Sequence, residues 1–454
     1  MANDILGMRT PDTLQSAARE EYWRKGIAYL FPNGTAVLTA LTSKMQTEKC
    51  TDQKFHWFTQ EYNTRRGACT LYTDADMGTL YGSTYSGSTG VTAGTVFYAK
   101  AAEEVASHFI PNMQAQLRRI GNSTNIADPN VTLSAIVIGR TLNGDSSQIV
   151  LKALETDDGS AEFGGSQILQ DGAETDVVDI SVVGSIFPDA SGLPEAITRD
   201  ATEWENYIQT CKTSLKLGRI AMRTYLRTGD ISLQKKKESL QDHSVDIERT
   251  LWFGVKSLTR SADTGDFQYT TDGLFRFIRA WSAANGGNNW ANFQNDGLTS
   301  GNTWASYGWG WLKERMEEVF RWGSEDKWCI CGSGALLAIE KLAETVGQIQ
   351  MRPGENEFGM RITKLITPFG DISLRTHPDF NLDPIYRNCM VLMEPKNLRY
   401  MTIDDTHFLP DTNFNRGGVN AISGKIEGWE SDVGLQVLHP QTMGAFFGLG
   451  LNVP

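Results

Sequence analysis

The sequence predicts an α+β chain of several units, and three observations carry that class. Residues 95–200 hold short β-branched runs broken by turn sequences. Residues 231–254 switch to a helical period. Residues 273–350 read as α-rich and are followed by further strand patterns. At roughly 150 residues per domain, the length of 454 residues corresponds to about three domains. Hydrophobic residues make up 40% and charged residues 21%, which supplies a sizeable core and excludes wholesale disorder.

Residues 1–50 are expected to form an arm. Thr10-Pro11-Asp12 opens a helix over about 13–25, with Leu14, Ala17, Ala18 and Tyr22 in one stripe. A Pro32-Asn33-Gly34 turn and a short segment, Thr35–Thr42, follow; this is too little to build a core of its own. Residues 53–66 hold a dense aromatic group, and residues 73–95 are rich in Gly, Ser and Thr, which suits an extended loop. Val131–Ile138, Gln148–Leu154 and Val177–Phe187 are separated by Asn-Gly-Asp and similar turns, giving a small, mostly antiparallel β unit. A strand pair is expected at about 203–228, where Tyr207, Gln209, Cys211, Thr213, Leu215 and Leu217 share one face.

Leu233, Leu240, Ile247 and Leu251 are spaced 7, 7 and 4 in otherwise polar sequence. They predict a one-sided helix of about six turns, ended by Gly254. Helices over Trp311–Trp322 and Ala335–Val346 flank a buried strand at Trp328–Cys331. Strand patterns return at Ile362–Thr367, Ile372–Thr376, Met390–Met393 and Val433–Leu438.

The net charge of −12 argues against a dedicated nucleic-acid binder. Six scattered cysteines read as reduced thiols rather than a disulfide framework. The N-terminus has no leader pattern, and no run reaches the ~18 apolar residues of a membrane span. Cys329-x-Cys331 lacks the second pair a zinc site needs. His377-Pro-Asp379 and Asp404-Asp405-Thr-His407 sit in turn-like sequence and read as surface or capping groups. Asp74-Ala-Asp76 and Glu317-Glu318 read as solvated faces, and Gly332-Ser-Gly334 as a tight strand–helix turn without the lysine of a phosphate loop. No catalytic residue, cofactor or metal ligand is nominated.

The clustered Trp304, Trp309, Trp311, Trp322 and Trp328 admit two readings: a sugar-stacking surface, or an aromatic core with a subunit contact. Lys235, Lys236 and Lys237 either meet an acidic partner or nucleic acid, or form a solvated helix face.

Five stretches in order carry a resemblance. They are Asn206-Tyr207-Ile208-Gln209-Thr210, then Lys236–Gly254 with its closing Leu251-Trp252-Phe253-Gly254, then Trp328-Cys-Ile-Cys-Gly-Ser-Gly334. Phe369-Gly-Asp-Ile-Ser-Leu374 with His377-Pro378 follows, and Gly424–Pro440 closes the series. Spread over roughly residues 50–450, this order resembles the tailed-phage major capsid proteins of the HK97-like fold, and within them the SU10-type capsid family.

The resemblance implies a structural, non-enzymatic protein. It would assemble through homo-hexamers and homo-pentamers into an icosahedral shell around double-stranded DNA. Its layout would be an arm at 1–50, an E-loop region at 51–230 carrying the β unit at about 95–200, a P-domain from 231–256 and 386–454, and an A-domain at 257–385. Implied partners are further copies of itself, a separate scaffolding protein, a portal protein, an optional decoration protein and packaged DNA by non-specific proximity, with no membrane. The setting is the virion capsid, assembled in the host cytoplasm. No cofactor and no Lys–Asn crosslink pair are expected. Assembly contacts are expected at Tyr22, Trp23, Trp57, Phe58, Arg65, Arg66, Lys235, Lys236, Lys237, Trp309 and Trp311, with the loop 82–94 as a mobile tip. The rival from another class is a carbohydrate-binding or carbohydrate-active virion protein using the Trp-rich segment.

Overall fold

A computed structural model describes residues 45–78, 80, 92–119, 132–156, 178–189, 191–224, 230–296, 301–346, 351–357, 360–411 and 424–453. The expected arm helix, Tyr22 and Trp23, and the loop residues 82–91 lie outside the described residues. The chain divides into two units, one of Gln60–Thr202 and one of Met1–Thr59 with Glu203–Pro454.

The smaller unit is a closed antiparallel barrel. Its strands run in the order Arg66–Tyr72, Val96–Ala101, Ser147–Ala153, Thr132–Thr141, Met113–Arg119 and Val178–Ser185, which returns to the first. Alternation decides which residues point inward: in Thr132–Thr141, Leu133, Ala135 and Val137 are buried while their neighbours are not. With Phe97, Leu117, Ile149, Leu151 and Ile180 they fill the interior, as a barrel this small requires. The Asn143-Gly144 sequence makes the expected hairpin between the third and fourth of these strands, with Gly144 at φ +52. The barrel also takes in Arg66–Tyr72, upstream of the span at 95–200 that the sequence pattern suggested. That strand, Arg-Gly-Ala-Cys-Thr-Leu-Tyr, turns only Cys69 and Leu71 inward, an alternation too short to stand out from the sequence.

The larger unit contains two extended sheets, besides the two-stranded pairs Lys54–Thr59 with Thr202–Tyr207 and Ser257–Arg260 with Phe267–Thr270. In the first, Gly424–Val437 is the long central strand. It pairs antiparallel with Gln209–Gly218 on one side and with Leu398–Thr402 and His407–Leu409 on the other. Gln46–Lys49, the described end of the expected arm, adds a parallel strand beside Leu398–Thr402.

The long helix, Ile231–Phe253, packs on this sheet. Asp230 caps its start by accepting from Ser232 N at 2.8 Å. Gly254 ends it as expected, but with φ −52 rather than in the left-handed region. Glycine is required because any Cβ would strike the carbonyls of Thr250 and Thr271.

The helix corrects the expected stripe. Leu233 is 61% exposed and Leu240 36%, whereas Ser239, His243, Ile247 and Leu251 are buried. The buried positions are spaced four apart, so each is the surface neighbour of the next along the helix. Of the two polar members, His243 is satisfied by the sheet, bridging Thr213 Oγ1 at 2.9 Å and Ser431 Oγ at 2.7 Å, whereas Ser239 Oγ has no hydrogen-bond partner among the described residues.

The second sheet has seven strands in the order Trp290–Asn292, Gly444–Phe447, Met390–Met393, Asp326–Cys331, Gly370–Thr376, Met360–Thr367 and Met351–Glu357. Helices Leu274–Asn285, Trp304–Phe320 and Ser333–Val346 accompany it. Asp326–Cys331 is an interior strand, parallel to Gly370–Thr376 and antiparallel to Met390–Met393, which explains its apolar run. The sheet takes strands from both sides of residue 385.

Candidate functional site

Surface geometry, rather than a pocket with converging reactive groups, is what the described residues offer. Among them no group of three His, Cys, Asp or Glu side chains is placed to hold a metal. No helix among them is long and apolar enough to cross a membrane. Cys329, Cys331 and Cys389 are fully buried, and burial raises the thiols of Cys329 and Cys389 well above their ordinary range.

Several expected contact residues turn out to be committed within the chain. Trp57 is 5% exposed, stacks on Phe55 and donates its Nε1 to Val437 O at 3.1 Å. Trp311 is also 5% exposed: it meets Phe293 and Trp304 edge-on and donates to Asp296. Trp304 donates to Ala338 O at 3.1 Å. A sugar-stacking face on these rings is therefore excluded, because the rings already form an aromatic core. Trp309 is half-buried, with Lys313 Nζ 5.0 Å from its ring centre.

Arg66 is paired with Asp179, a buried carboxylate whose pKa burial raises and the guanidinium pulls back down. Lys235 pairs with Glu238 at 2.6 Å. Lys236 pairs with the buried Glu427 at 3.2 Å and lies 4.5 Å over the Phe408 ring. Among the described residues the exposed Lys237 makes no such pair, so the lysine run is largely neutralised within the chain.

Phe58, 67% exposed, and Arg65 remain available. Arg65 is one of three non-glycine residues at positive φ among the described residues, at +46, and its N–H donates to Asn63 Oδ1 at 2.7 Å. Tyr62, three residues before it, is 79% exposed.

Two buried polar centres escaped the sequence reading. His377 is not a surface group: it is 1% exposed, with Nε2 3.3 Å from Glu248 Oε1, which also accepts from Trp252 Nε1 at 3.1 Å. By contrast His407 is exposed, as expected, beside Asp404 and Glu430. Lys327 is fully buried and donates to Trp322 O at 3.0 Å and Thr442 O at 2.9 Å, with Glu394 3.8 Å away. Burial depresses its ammonium to about 8, against a smaller upward pull from Glu394.

A groove of about 490 Å³ lies at the C-terminal end of the long helix. Phe253 and Tyr386, with ring centres 4.8 Å apart, Arg249 and Asp379, and Leu382 and Asp383 line it. Leu382 and Ile385 stand 73% and 69% exposed on the turn that carries the groove. A hairpin of Ser257–Arg260 and Phe267–Thr270 also presents Leu258 and Phe267, 48% and 54% exposed, on one face. The visible signal for the groove was Leu382-Asp-Pro-Ile385, two large aliphatics set in a turn sequence.

A family model described as SU10 major capsid protein matches residues 10–450. Among solved structures, the chain is similar to the holo-SrpI encapsulin complex from Synechococcus elongatus PCC 7942, at 11% identity over 56% of this chain and 77% of that one, with a TM-score of 0.35. It is similar to the capsid of cyanophage P-SCSP1u at 12% identity over 59% and 80%, TM-score 0.37. It is similar to Microbacterium phage Oxtober96 at 7% identity over 95% and 96%, TM-score 0.39. No curated protein matches. With a family model covering residues 10–450, the chain belongs to the SU10 major capsid protein family.

Proposed function

We propose that this protein is the shell-forming subunit of a tailed phage. It assembles through hexamers and pentamers into an icosahedral shell of the HK97-like kind around double-stranded DNA. The observation that carries this reading is the family match over residues 10–450. The mechanism is non-covalent: each copy buries edges and exposed apolar side chains against neighbours, and closure of a symmetric ring makes many modest contacts cooperative. Leu382, Ile385, Leu258 and Phe267 are grouped exposed hydrophobics of the kind that mark such contacts.

We further propose a separate scaffolding protein, a portal, an optional decoration protein and assembly in the host cytoplasm. DNA is held by proximity rather than by a dedicated basic face, which suits the net charge of −12 and the neutralised lysine run. The working partition is an arm at 1–50, an E-loop region at 51–230, a P-domain of 231–256 with 386–454 and an A-domain of 257–385, the last two sharing the seven-stranded sheet.

The test is expression alone and with neighbouring open reading frames, followed by size-exclusion chromatography and negative-stain imaging. Closed shells or five- and six-membered rings support the reading. A monodisperse monomer or trimer in every condition overturns it. Intact mass of the capsid chain from particles checks the scaffolding proposal: a chain trimmed at the N-terminus overturns it.

A further inference from the structure

A ring of identical subunits needs two different patches on each copy that fit one another, because a self-complementary patch closes only pairs. The chain supplies two such patches. The groove at the end of the long helix has an aromatic floor, Phe253 and Tyr386, and carboxylates at Asp379 and Asp383. Arg249 reaches Asp379 Oδ1 at 3.4 Å, but Asp379 Oδ2 is buried and has no hydrogen-bond partner among the described residues. With two carboxylates against one guanidinium, the groove is left with an excess negative charge. An aromatic floor under a carboxylate rim suits a guanidinium, which stacks on the rings and donates to the acids.

The matching group is Arg65. It is exposed and makes no ion pair among the described residues. An Asx-type contact from Asn63 holds its backbone at φ +46, a conformation that costs energy in a non-glycine residue and persists where the surroundings fix it. Tyr62, three residues before it, is 79% exposed. Arginine and tyrosine are the side chains that most often dominate an interface.

Resting on the capsid reading, we propose that the Tyr62–Arg65 segment of one copy docks in the groove of a second copy, with Arg65 on Asp379 and the Tyr62 ring against Leu382. The contact is head-to-tail and repeats around each ring.

The test uses the full chain in assembled particles. A variant carrying both Tyr62→Cys and Leu382→Cys is exposed to a mild oxidant and run on a non-reducing gel. A ladder of covalent oligomers is expected, while either single variant stays monomeric. Monomer from the double variant in intact particles overturns the proposal, and so does a ladder from Leu382→Cys alone, which would mean grooves meeting grooves. Charge exchange is the second arm. Arg65→Glu and Asp379→Lys should each lower particle yield by about tenfold, equivalent to roughly 1.4 kcal/mol, with circular dichroism unchanged, and the combined variant should recover most of it. Yields unaffected by either single change, or no recovery in the combination, overturn the pairing. If wild-type protein forms no particles at all, the capsid reading itself fails, a result distinct from normal particles that lack the crosslink.

Discussion

Replacing Asn206 by alanine should lower the melting temperature of the full chain by about 6 °C. Its side chain is fully buried where Thr202–Tyr207 meets Gln209–Gly218. Nδ2 donates to Leu435 O at 2.7 Å, Thr271 Oγ1 at 3.0 Å and Asp272 O at 3.4 Å. Oδ1 accepts from Tyr207 N at 2.8 Å and Asp272 N at 2.9 Å. One amide thus ties a strand end, the segment before the helix Leu274–Asn285, and the central strand of the first sheet. Truncation orphans at least two firmly bound buried backbone groups, the Asp272 N–H and the Leu435 carbonyl. At about 1–3 kcal/mol per orphaned group, the loss is about 4 kcal/mol. A unit of about 300 residues unfolds with an entropy near 0.6 kcal/mol/K, so about 4 kcal/mol becomes about 6 °C. Calorimetry of the unassembled chain reads the shift. Asn206→Asp, which keeps the acceptor but removes both donors and buries a charge, should fall at least as far. A melting point within about 1 °C of wild type for the alanine variant would refute this account of the junction.

Other perturbations separate core from surface. Trp311→Ala should cost about 3–5 kcal/mol, seen as a lower melting point, because it empties a buried aromatic cluster; an unshifted melt would mean the ring is not core. Gly254→Ala should cost about 2–3 kcal/mol, since the added Cβ meets the Thr250 and Thr271 carbonyls; denaturant midpoints compared at equal slope check it. Lys327, with its folded pKa near 8 and its unfolded value at 10.5, holds fewer protons folded than unfolded between those limits. Its burial penalty is therefore complete below pH 8 and relieved as pH rises towards 10.5. Wild type should gain stability relative to Lys327→Met across that window, and a difference that stays flat or reverses with pH would contradict the burial argument.

Elements set by local periodicity were legible in the sequence; those set by pairing partners were not. The helix from Ile231 to Phe253 was visible through its change of period and its closing glycine, though its Asp230 cap was not read. The hairpin at Asn143-Gly144 was visible because that dipeptide selects a tight turn. Arg66–Tyr72 escaped because its inward alternation is just Cys69 and Leu71, recognisable only beside Val178–Ser185 and Val96–Ala101. Lys327 and His377 escaped for a related reason. Each is polar in a polar-looking context, and each is buried only because distant groups supply its hydrogen bonds: Thr442 O for the lysine, Glu248 for the histidine.

The nominated contact residues show a further limit of sequence reading. An apolar side chain destined for a neighbour and one destined for the core have the same composition signal, and both answer to the same free energy of leaving water. Trp57 and Trp311 were picked as contacts because they are large and clustered, yet their N–H groups find carbonyl or carboxylate partners inside the chain, which marks them as core. Leu233 and Leu240 were picked as the buried stripe, yet they stand outside while Ser239 and His243 go in. For His243 the exchange follows from the sheet beneath, where the Thr213 and Ser431 hydroxyls bond its ring, while Ser239 is small enough to be covered without a hydrogen-bond partner among the described residues. The two leucines are left outward, Leu233 61% and Leu240 36% exposed. Under the proposed shell role, Leu233 and Leu240 join Leu382, Ile385 and Tyr62 as exposed surface that we propose neighbouring copies cover.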